Sequence, residues 1–217
     1  MNTDNTFFSL LSQEPGTGVS VLDRDARLLY INDEAVRMFF GDDTTSADIV
    51  GKDLHEMGFP EEWIKERIDL IREIERTGQE ILLRTIWNGL QQFSWMRSLS
   101  CEDGDPFRVL VVTRRVSAGA EAERLLLESE MPVIQSEVTG LGVLKELTRR
   151  ELEVLALIGQ GLTAKEIAEL MHRSVKTVEN HRIALGAKLK KSNKVELALM
   201  ARAAGLKVED SDRQRVR

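Results

Sequence analysis

The 217-residue sequence is poor in the residues that build disulfide, metal and catalytic frameworks. It holds one cysteine, Cys101, and three histidines, His55, His172 and His181, which lie in different segments. A single thiol excludes an intramolecular disulfide and any metal framework built on thiolates. No Ser-His-Asp set, His-x-x-x-His pair or phosphate-cradling glycine motif is present in the sequence. We therefore predict no catalytic activity and no metal site.

The sequence also lacks a long apolar run. No stretch approaches the roughly 18 apolar residues that are needed to span a bilayer. The N-terminus has no basic region of the kind that opens a secretory signal. A content of 42% hydrophobic and 30% charged residues is ordinary for a soluble globular protein. We expect a cytoplasmic protein of one or two domains with no membrane partner.

Charge of the two signs is divided unevenly along the chain. Residues 145–217 carry 16 Lys and Arg against 10 Asp and Glu, whereas residues 1–144 carry 14 against 26. A basic C-terminal end on an acidic body fits polyanion binding through that end only. The overall pI near 5.3 would by itself argue weakly against nucleic acid binding.

Residues 147–187 are predicted to form three short helices in tandem, each beginning at a capping residue. In a capping box, Ser or Thr accepts from a free backbone N–H while Glu three residues later reaches back to the cap. The glycines of Gly159-Gln160-Gly161 suit the left-handed turn that ends a helix. The predicted starts are Thr148 with Glu151, Thr163 with Glu166, Ser174, and Asn193 with Glu196 for a fourth helix.

The third of these helices has two different faces. A projection at 100° per residue predicts a buried stripe of Val175, Val178, Leu185 and Leu189. The opposite face carries Lys176, Asn180, Ile183 and Ala187, flanked by Thr177, Glu179 and Ala184. Small and hydrogen-bonding side chains there would let the helix enter a major groove. The alternative is that the polar residues only solvate the helix, but exposed Ile and Ala residues do not favour it.

This segment resembles the DNA-binding domain of LuxR-type (FixJ/NarL-type) bacterial transcription regulators. The matching pieces are LTRRELEVL at 147–155, GLTAKEIA at 161–168, SVKTVENHR at 174–182 and KLK at 188–190. The resemblance implies that bases are contacted by Glu179, Asn180 and Ile183, and that the DNA backbone is held by Lys165, Lys176, Thr177, His181 and Arg182.

The sequence departs from many family members at position 179, where they carry lysine. A glutamate can accept from a cytosine amino group, but it also repels phosphate. The resemblance further implies that the fourth helix, roughly residues 194–204, pairs two DNA-binding domains. Val195 and Leu199 are then dimerisation candidates, and burial against the third helix of the same chain is the alternative.

Residues 18–117 alternate strand and helix signals in the order two strands, helices, three strands. The dipeptide Asn88-Gly89 joins two of the strands as a hairpin, and residues 102–106 turn into the last one. A long helix begins at Pro60 and ends at Gly78. This order predicts the α+β class, with a five-stranded antiparallel sheet covered by helices.

The same region resembles a PAS sensory domain, through GVSVLDRDARLLYINDEAVRMF at 18–39 and GKDL at 51–54. PAS domains bind varied small ligands or serve as dimerisation modules, and the fold does not choose between these roles. Cys101 at the end of a predicted strand disfavours a flavin adduct, and His55 in a loop ahead of the long helix disfavours haem. Six residues could line a ligand pocket or simply form core: Met38, Met57, Trp63, Trp87, Trp95 and Met96.

The chain is therefore expected to have four parts: a PAS-like domain (1–117), a connector helix and flexible linker (118–144), a four-helix LuxR-type helix-turn-helix domain (145–208) and a charged, disordered tail (209–217). A phosphorylation-driven receiver domain is disfavoured, because Asp42, Asp43 and Asp53 do not follow strands and no lysine lies between Lys65 and Lys145.

We expect a sequence-specific transcription regulator that binds double-stranded DNA as a homodimer. Its PAS-like domain would sense an unidentified small molecule or mediate dimerisation, and the sequence requires no particular cofactor. The alternative is an interaction or scaffold protein whose helix-turn-helix has lost DNA affinity and pairs with another regulator. The motivation for this alternative is the acidic Glu179 and the acidic body.

Overall fold

The computed structural model describes residues 13–99 and 106–216. The first part of the chain forms β1 (Thr17–Asp23), β2 (Leu28–Ile31), α1 (Asp33–Phe39), α2 (Ser46–Ile49), a 3₁₀ helix (Leu54–Met57), α3 (Glu61–Thr77), β3 (Ile81–Trp87), β4 (Leu90–Leu99) and β5 (Arg108–Arg115). The second part forms α4 (Ala120–Leu127), β6 (Val133–Gly140), a 3₁₀ helix (Gly142–Glu146), α5 (Arg149–Gly159), α6 (Ala164–Leu170), α7 (Val175–Leu189), α8 (Lys194–Ala203), a 3₁₀ helix (Val208–Asp212) and β7 (Gln214–Val216).

The described strands form one sheet in the order β2-β1-β5-β4-β3-β6-β7. β1 runs antiparallel to β2 and β5, β5 runs antiparallel to β4, and β6 runs parallel to β7. The two-residue loop between β3 and β4 has positive φ at Asn88 (51°) and Gly89 (74°), as a type I′ hairpin turn requires. The α+β class and the five N-terminal strands are confirmed.

Two segments differ from the sequence prediction. The predicted flexible joint contains strand β6, Val133–Gly140. The predicted disordered tail contains a 3₁₀ helix and strand β7, which pairs with β6 at Val138 to Gly140. Both predictions were wrong about local structure. Glycines and charged residues suggested a flexible chain, but in the fold these segments form hydrogen bonds and ion pairs with other parts of the chain. The domain boundaries themselves remain predictions.

Internal partners explain why the tail is ordered. Asp210 is buried, accepts from the backbone N–H of Lys207 at 2.8 Å and pairs with Arg213 at 2.9 Å. Asp212 pairs with Arg149 at the start of α5, at 2.7 Å. Unpaired charges favour a disordered chain, whereas these charges form ion pairs and hydrogen bonds inside the fold.

The chain divides into two compact units. The first comprises Met1–Arg84, Gln92–Arg115 and Ser129–Ser136, and the second comprises Thr85–Gln91, Val116–Glu128 and Glu137–Arg217. In the first unit, helix α1 approaches β1 closely where Gly18 has no side chain, since a Cβ there would lie 3.1 Å from Ala35 and Met38. The buried Asn32 caps α1 by accepting from Ala35 N–H at 2.9 Å, and it also accepts from Val19 N–H at 2.8 Å.

The second unit is built around its own apolar core. Residues of α5 to α8 supply most of it, and Ile86 from the hairpin tip belongs to the same cluster. Helices α5 and α8 cross closely at Gly159, because a Cβ at this position would lie 2.6 Å from the Ala201 side chain. This core fixes the orientation of α7, the helix with the predicted DNA-contacting face.

Candidate nucleic-acid interface

The four predicted helix starts are confirmed. Thr148 and Thr163 cap α5 and α6 in capping boxes with Glu151 and Glu166. Ser174 caps α7 by accepting from Thr177 N–H at 3.1 Å. Asn193 caps α8 by accepting from Glu196 N–H at 2.9 Å. These contacts span three residues each, which is why the sequence alone could identify them.

Helix α7 turns three of the four predicted apolar residues inward. Val178, Leu185 and Leu189 are buried in the core of the second unit. Val175 is the exception: it is 46% exposed, so its predicted burial was wrong. Val175 is the first residue of α7, where the chain has only just left the preceding turn and a projection of the whole helix is least reliable.

The three candidate base-contacting residues all lie in the N-terminal two-thirds of α7, and each is accessible to solvent. Asn180 is exposed and Ile183 is 65% exposed. Glu179 is partly exposed and forms an ion pair with Arg182 at 2.7 Å. The face can thus offer an amide, an apolar group and a carboxylate to a groove.

The candidate backbone-contacting residues differ in how available they are. Lys165 on α6 and Lys176 on α7 are exposed, and within residues 13–99 and 106–216 neither forms an ion pair. The Thr177 hydroxyl lies 2.8 Å from the Ser174 hydroxyl at the helix start. His181 is partly exposed, and Arg182 is engaged by Glu179. The two lysines are therefore the charges most ready to meet phosphate.

Arg173 is a further exposed cation that the sequence prediction did not include. It lies between His172, whose φ is +51°, and the cap Ser174. The sequence shows a basic residue directly before a helix start, and a helix start is where anions such as phosphate bind.

Glu151 and Lys188 link α5 to α7. Lys188 Nζ lies 2.7 Å from Glu151 Oε2, and Thr148 N–H donates to the same oxygen at 2.7 Å. Burial alone would raise the pKa of Glu151, but the hydrogen bonds from Lys188 and Thr148 outweigh it and lower that pKa. The pair helps to hold the candidate DNA-contacting helix on the core.

The two dimerisation candidates lie on the outer face of α8. Val195 is 67% exposed and Leu199 is 62% exposed, whereas Leu197 and Ala201 of the same helix are buried. The alternative that Val195 and Leu199 are buried by their own chain was therefore wrong. Two apolar side chains four residues apart on an exposed helix face form one continuous patch.

The residues that could line a ligand pocket do not all belong to the same unit. Met38, Trp63 and Met96 are buried in the first unit, while Trp87 belongs to the second unit, where it covers Gly140. His55 is exposed in a 3₁₀ helix, and its Nδ1 lies 3.5 Å from Glu61. Cys101 and the turn predicted at 102–106 fall mainly on residues 100–105, outside the described residues.

Across the described part of the chain, no helix is long and apolar enough to cross a bilayer. Within the same residues, no group of three or more His, Cys, Asp or Glu side chains could hold a metal ion.

Comparison with known proteins identifies the helical region. Residues 145–201 match the family described as bacterial regulatory proteins, luxR family. The chain is 35% identical to the transcriptional regulatory protein LiaR of Bacillus subtilis over 104 residues. These residues make up 42% of this chain and 49% of LiaR. The chain is 51% identical over 53 residues to the oxygen regulatory protein NreC of Staphylococcus aureus, which covers 24% of each. The chain spans about half or less of the length of these curated relatives.

Among solved structures, the chain resembles VqmA in a crystal structure of the Vibrio cholerae VqmA–ligand–DNA complex. The TM-score is 0.53 with 23% identity, over 94% of this chain and 89% of that chain. At this identity the likeness supports the fold alone. The predicted C-terminal LuxR-type helix-turn-helix domain is confirmed by the family match over residues 145–201. The likeness to VqmA agrees with the predicted α+β fold.

Proposed function

We propose that this chain, which carries a luxR-family helix-turn-helix domain, is a sequence-specific DNA-binding transcription regulator. The observation that carries the proposal is the exposed surface of α6 and α7, which presents Asn180 and Ile183 together with the exposed cations Lys165 and Lys176. Polar and small groups on the outer face of such a helix fit base edges, and flanking cations fit phosphates.

The N-terminal region supplies the regulatory part of the proposal. Its PAS-like sheet and helices would sense a small molecule or mediate dimerisation, and two chains would then bind a two-fold symmetric site. Linking two domains that each touch few base pairs raises affinity through effective concentration. The fold neighbour that was crystallised with a ligand and DNA is compatible with this arrangement.

The DNA-binding proposal is tested with the full-length protein and fluorescently labelled duplexes selected from a random pool. Asn180→Ala should lose the preference for one base position, by about tenfold against the best competing base, because its amide would no longer contact that base edge. Lys176→Ala should weaken binding to all sequences equally and reduce the slope of log K against log salt by about one.

Lys52→Ala is the matched control for Lys176→Ala, since it removes the same charge from an exposed position in the first unit. It should leave affinity and salt slope unchanged. If the wild-type chain bound neither selected nor random DNA, the scaffold reading would replace this proposal. If Asn180→Ala kept full specificity, Asn180 would have no role in base recognition.

The sensory part is tested by mass spectrometry and absorption spectroscopy of the purified protein under native and denaturing conditions. A small molecule released on denaturation would identify the ligand class. A protein that stays dimeric and binds DNA without any released molecule would instead favour the dimerisation role.

A further inference from the structure

Glu179 and Arg182 are arranged so that one carboxylate oxygen is held and the other is left available. Arg182 Nε donates to Glu179 Oε2 at 2.8 Å, and Arg182 Nη2 lies 2.7 Å from the same oxygen. The two residues are one turn apart on α7 and both are partly exposed. Among the described residues, no donor reaches Glu179 Oε1. Glu179 Oε1 is therefore left as an unused acceptor.

The ion pair also reduces the repulsion between DNA phosphates and an acidic residue in a DNA-contacting helix. A lone carboxylate near the duplex would be repelled by phosphate, but a guanidinium in contact with it cancels the local charge. Two of the five N–H donors of Arg182 are used in this contact. Arg182 is thus less free to bind phosphate than the sequence prediction assumed.

An ionised carboxylate only accepts hydrogen bonds, so it matches bases that present a donor in the major groove. Only the amino groups of cytosine and adenine do so, whereas guanine and thymine present acceptors. Adenine places the N7 acceptor beside its amino group, which an acceptor-only side chain cannot satisfy. Cytosine is therefore the best partner for Glu179 Oε1.

We propose that Arg182 is a positioning residue, which holds Glu179 so that its free oxygen selects cytosine at one position of each half-site. This inference rests on the proposed DNA-binding function and adds to it the kind of base and the residue that orients the contact. It replaces the predicted phosphate contact of Arg182.

The test measures the affinity of the full-length protein for the selected duplex and for its three single-base variants at each position, over a range of salt. Glu179→Gln should reduce the preference for cytosine at one position by about tenfold and admit adenine there, since an amide matches the adenine N6 and N7 pair. It should also steepen the salt slope by about one, because Arg182 becomes free to meet phosphate.

Arg182→Ala is the decisive variant. It should lose the preference for cytosine at the same position by a similar factor, while selectivity at the other positions is kept. Arg182→Lys should give an intermediate preference, because one ammonium restores the charge but not the two-donor hold. In the Glu179→Gln background, Arg182→Ala should cause no further loss of selectivity.

Lys165→Ala serves as the phosphate-type control, with uniform weakening and a salt slope reduced by about one. If Arg182→Ala behaved like Lys165→Ala and kept the cytosine preference, Arg182 would be a phosphate contact and the inference would be overturned. A wild-type chain with base preferences but none for cytosine beside Glu179 would overturn it while leaving the proposed function intact. A wild-type chain without any base preference would overturn both.

Discussion

At the scale of single residues, the hydrogen bonds of the Glu151 carboxylate predict that the stability of the protein depends on pH. Its pKa is lowered in the folded protein despite burial, by hydrogen bonds from Lys188 and Thr148. A lowered pKa contributes stability above the unfolded value of about 4.3, and this contribution is lost as the pH falls through the folded value. Glu151→Gln should lower the free energy of unfolding by about 2 kcal/mol at pH 7, and the difference from wild type should shrink below about pH 4.3.

Urea unfolding of both proteins between pH 7 and pH 3.5, followed by circular dichroism, measures this difference. Glu166→Gln is a useful control because its capping box has the same form and its pKa is also lowered, but it has no lysine hydrogen bond from another helix. A difference between wild type and Glu151→Gln that stayed constant across the range would contradict the assigned role of the pair.

At the scale of elements, the β3–β4 hairpin tip is part of the same unit as the helix-turn-helix. Gln91 is buried and donates to the Val116 carbonyl at 2.6 Å, and Gly89 N–H donates to the Gly140 carbonyl at 2.9 Å. Gly205, at the end of α8, has φ +55°, and a Cβ there would lie 2.1 Å from Gln91 Oε1. A side chain at position 205 would therefore require the buried Gln91 side chain to move.

Gly205→Ala should destabilise the second unit by about 2 to 5 kcal/mol, the sum of overpacking and of left-handed strain. Gly78→Ala is the matched control, because Gly78 also follows a helix end, at φ +67°, with no atom within 4 Å of a Cβ, so only the strain applies. Urea unfolding monitored by Trp fluorescence compares the two. Equal destabilisation would show that the hairpin yields freely and is not a packed part of this unit.

At the scale of the whole molecule, we predict a homodimer that is joined through α8. Replacing both Val195 and Leu199 by Glu should raise the dimer dissociation constant at least about tenfold, because two charges would be buried in an apolar contact. Leu170→Glu is the control, since Leu170 is 60% exposed but lies on α6. Sedimentation equilibrium with and without DNA measures the association.

If the α8 variant dimerised like wild type both free and on DNA, the patch would not be the interface. If Leu170→Glu alone weakened the dimer, the contact would lie on the α6 side of the domain. Either result would leave the DNA-contacting face of α7 unaffected, because Val195, Leu199 and Leu170 lie on other helices.

What could be predicted from the sequence was local. Capping boxes act over three residues, a two-residue Asn-Gly turn acts within one hairpin, and the inward stripe of α7 repeats every three to four residues. Thr148, Thr163, Asn88 and Leu185 all lie where these rules place them. The luxR-family domain was recognised for the same reason, since its motifs are short and fixed in spacing.

The tertiary structure decided everything that depends on distant partners. Strand β6 exists because neighbouring strands satisfy its backbone groups, and the charged tail is ordered because Asp212 meets Arg149, 63 residues away. The exposure of Val195 and the membership of residues 85–91 in the helical unit could not be read from local patterns either. The sequence by itself determined where helices and turns begin and end, because those signals are carried by neighbours along the chain. Burial and ion pairing were decided by the fold, because their partners are brought together only when the chain is packed.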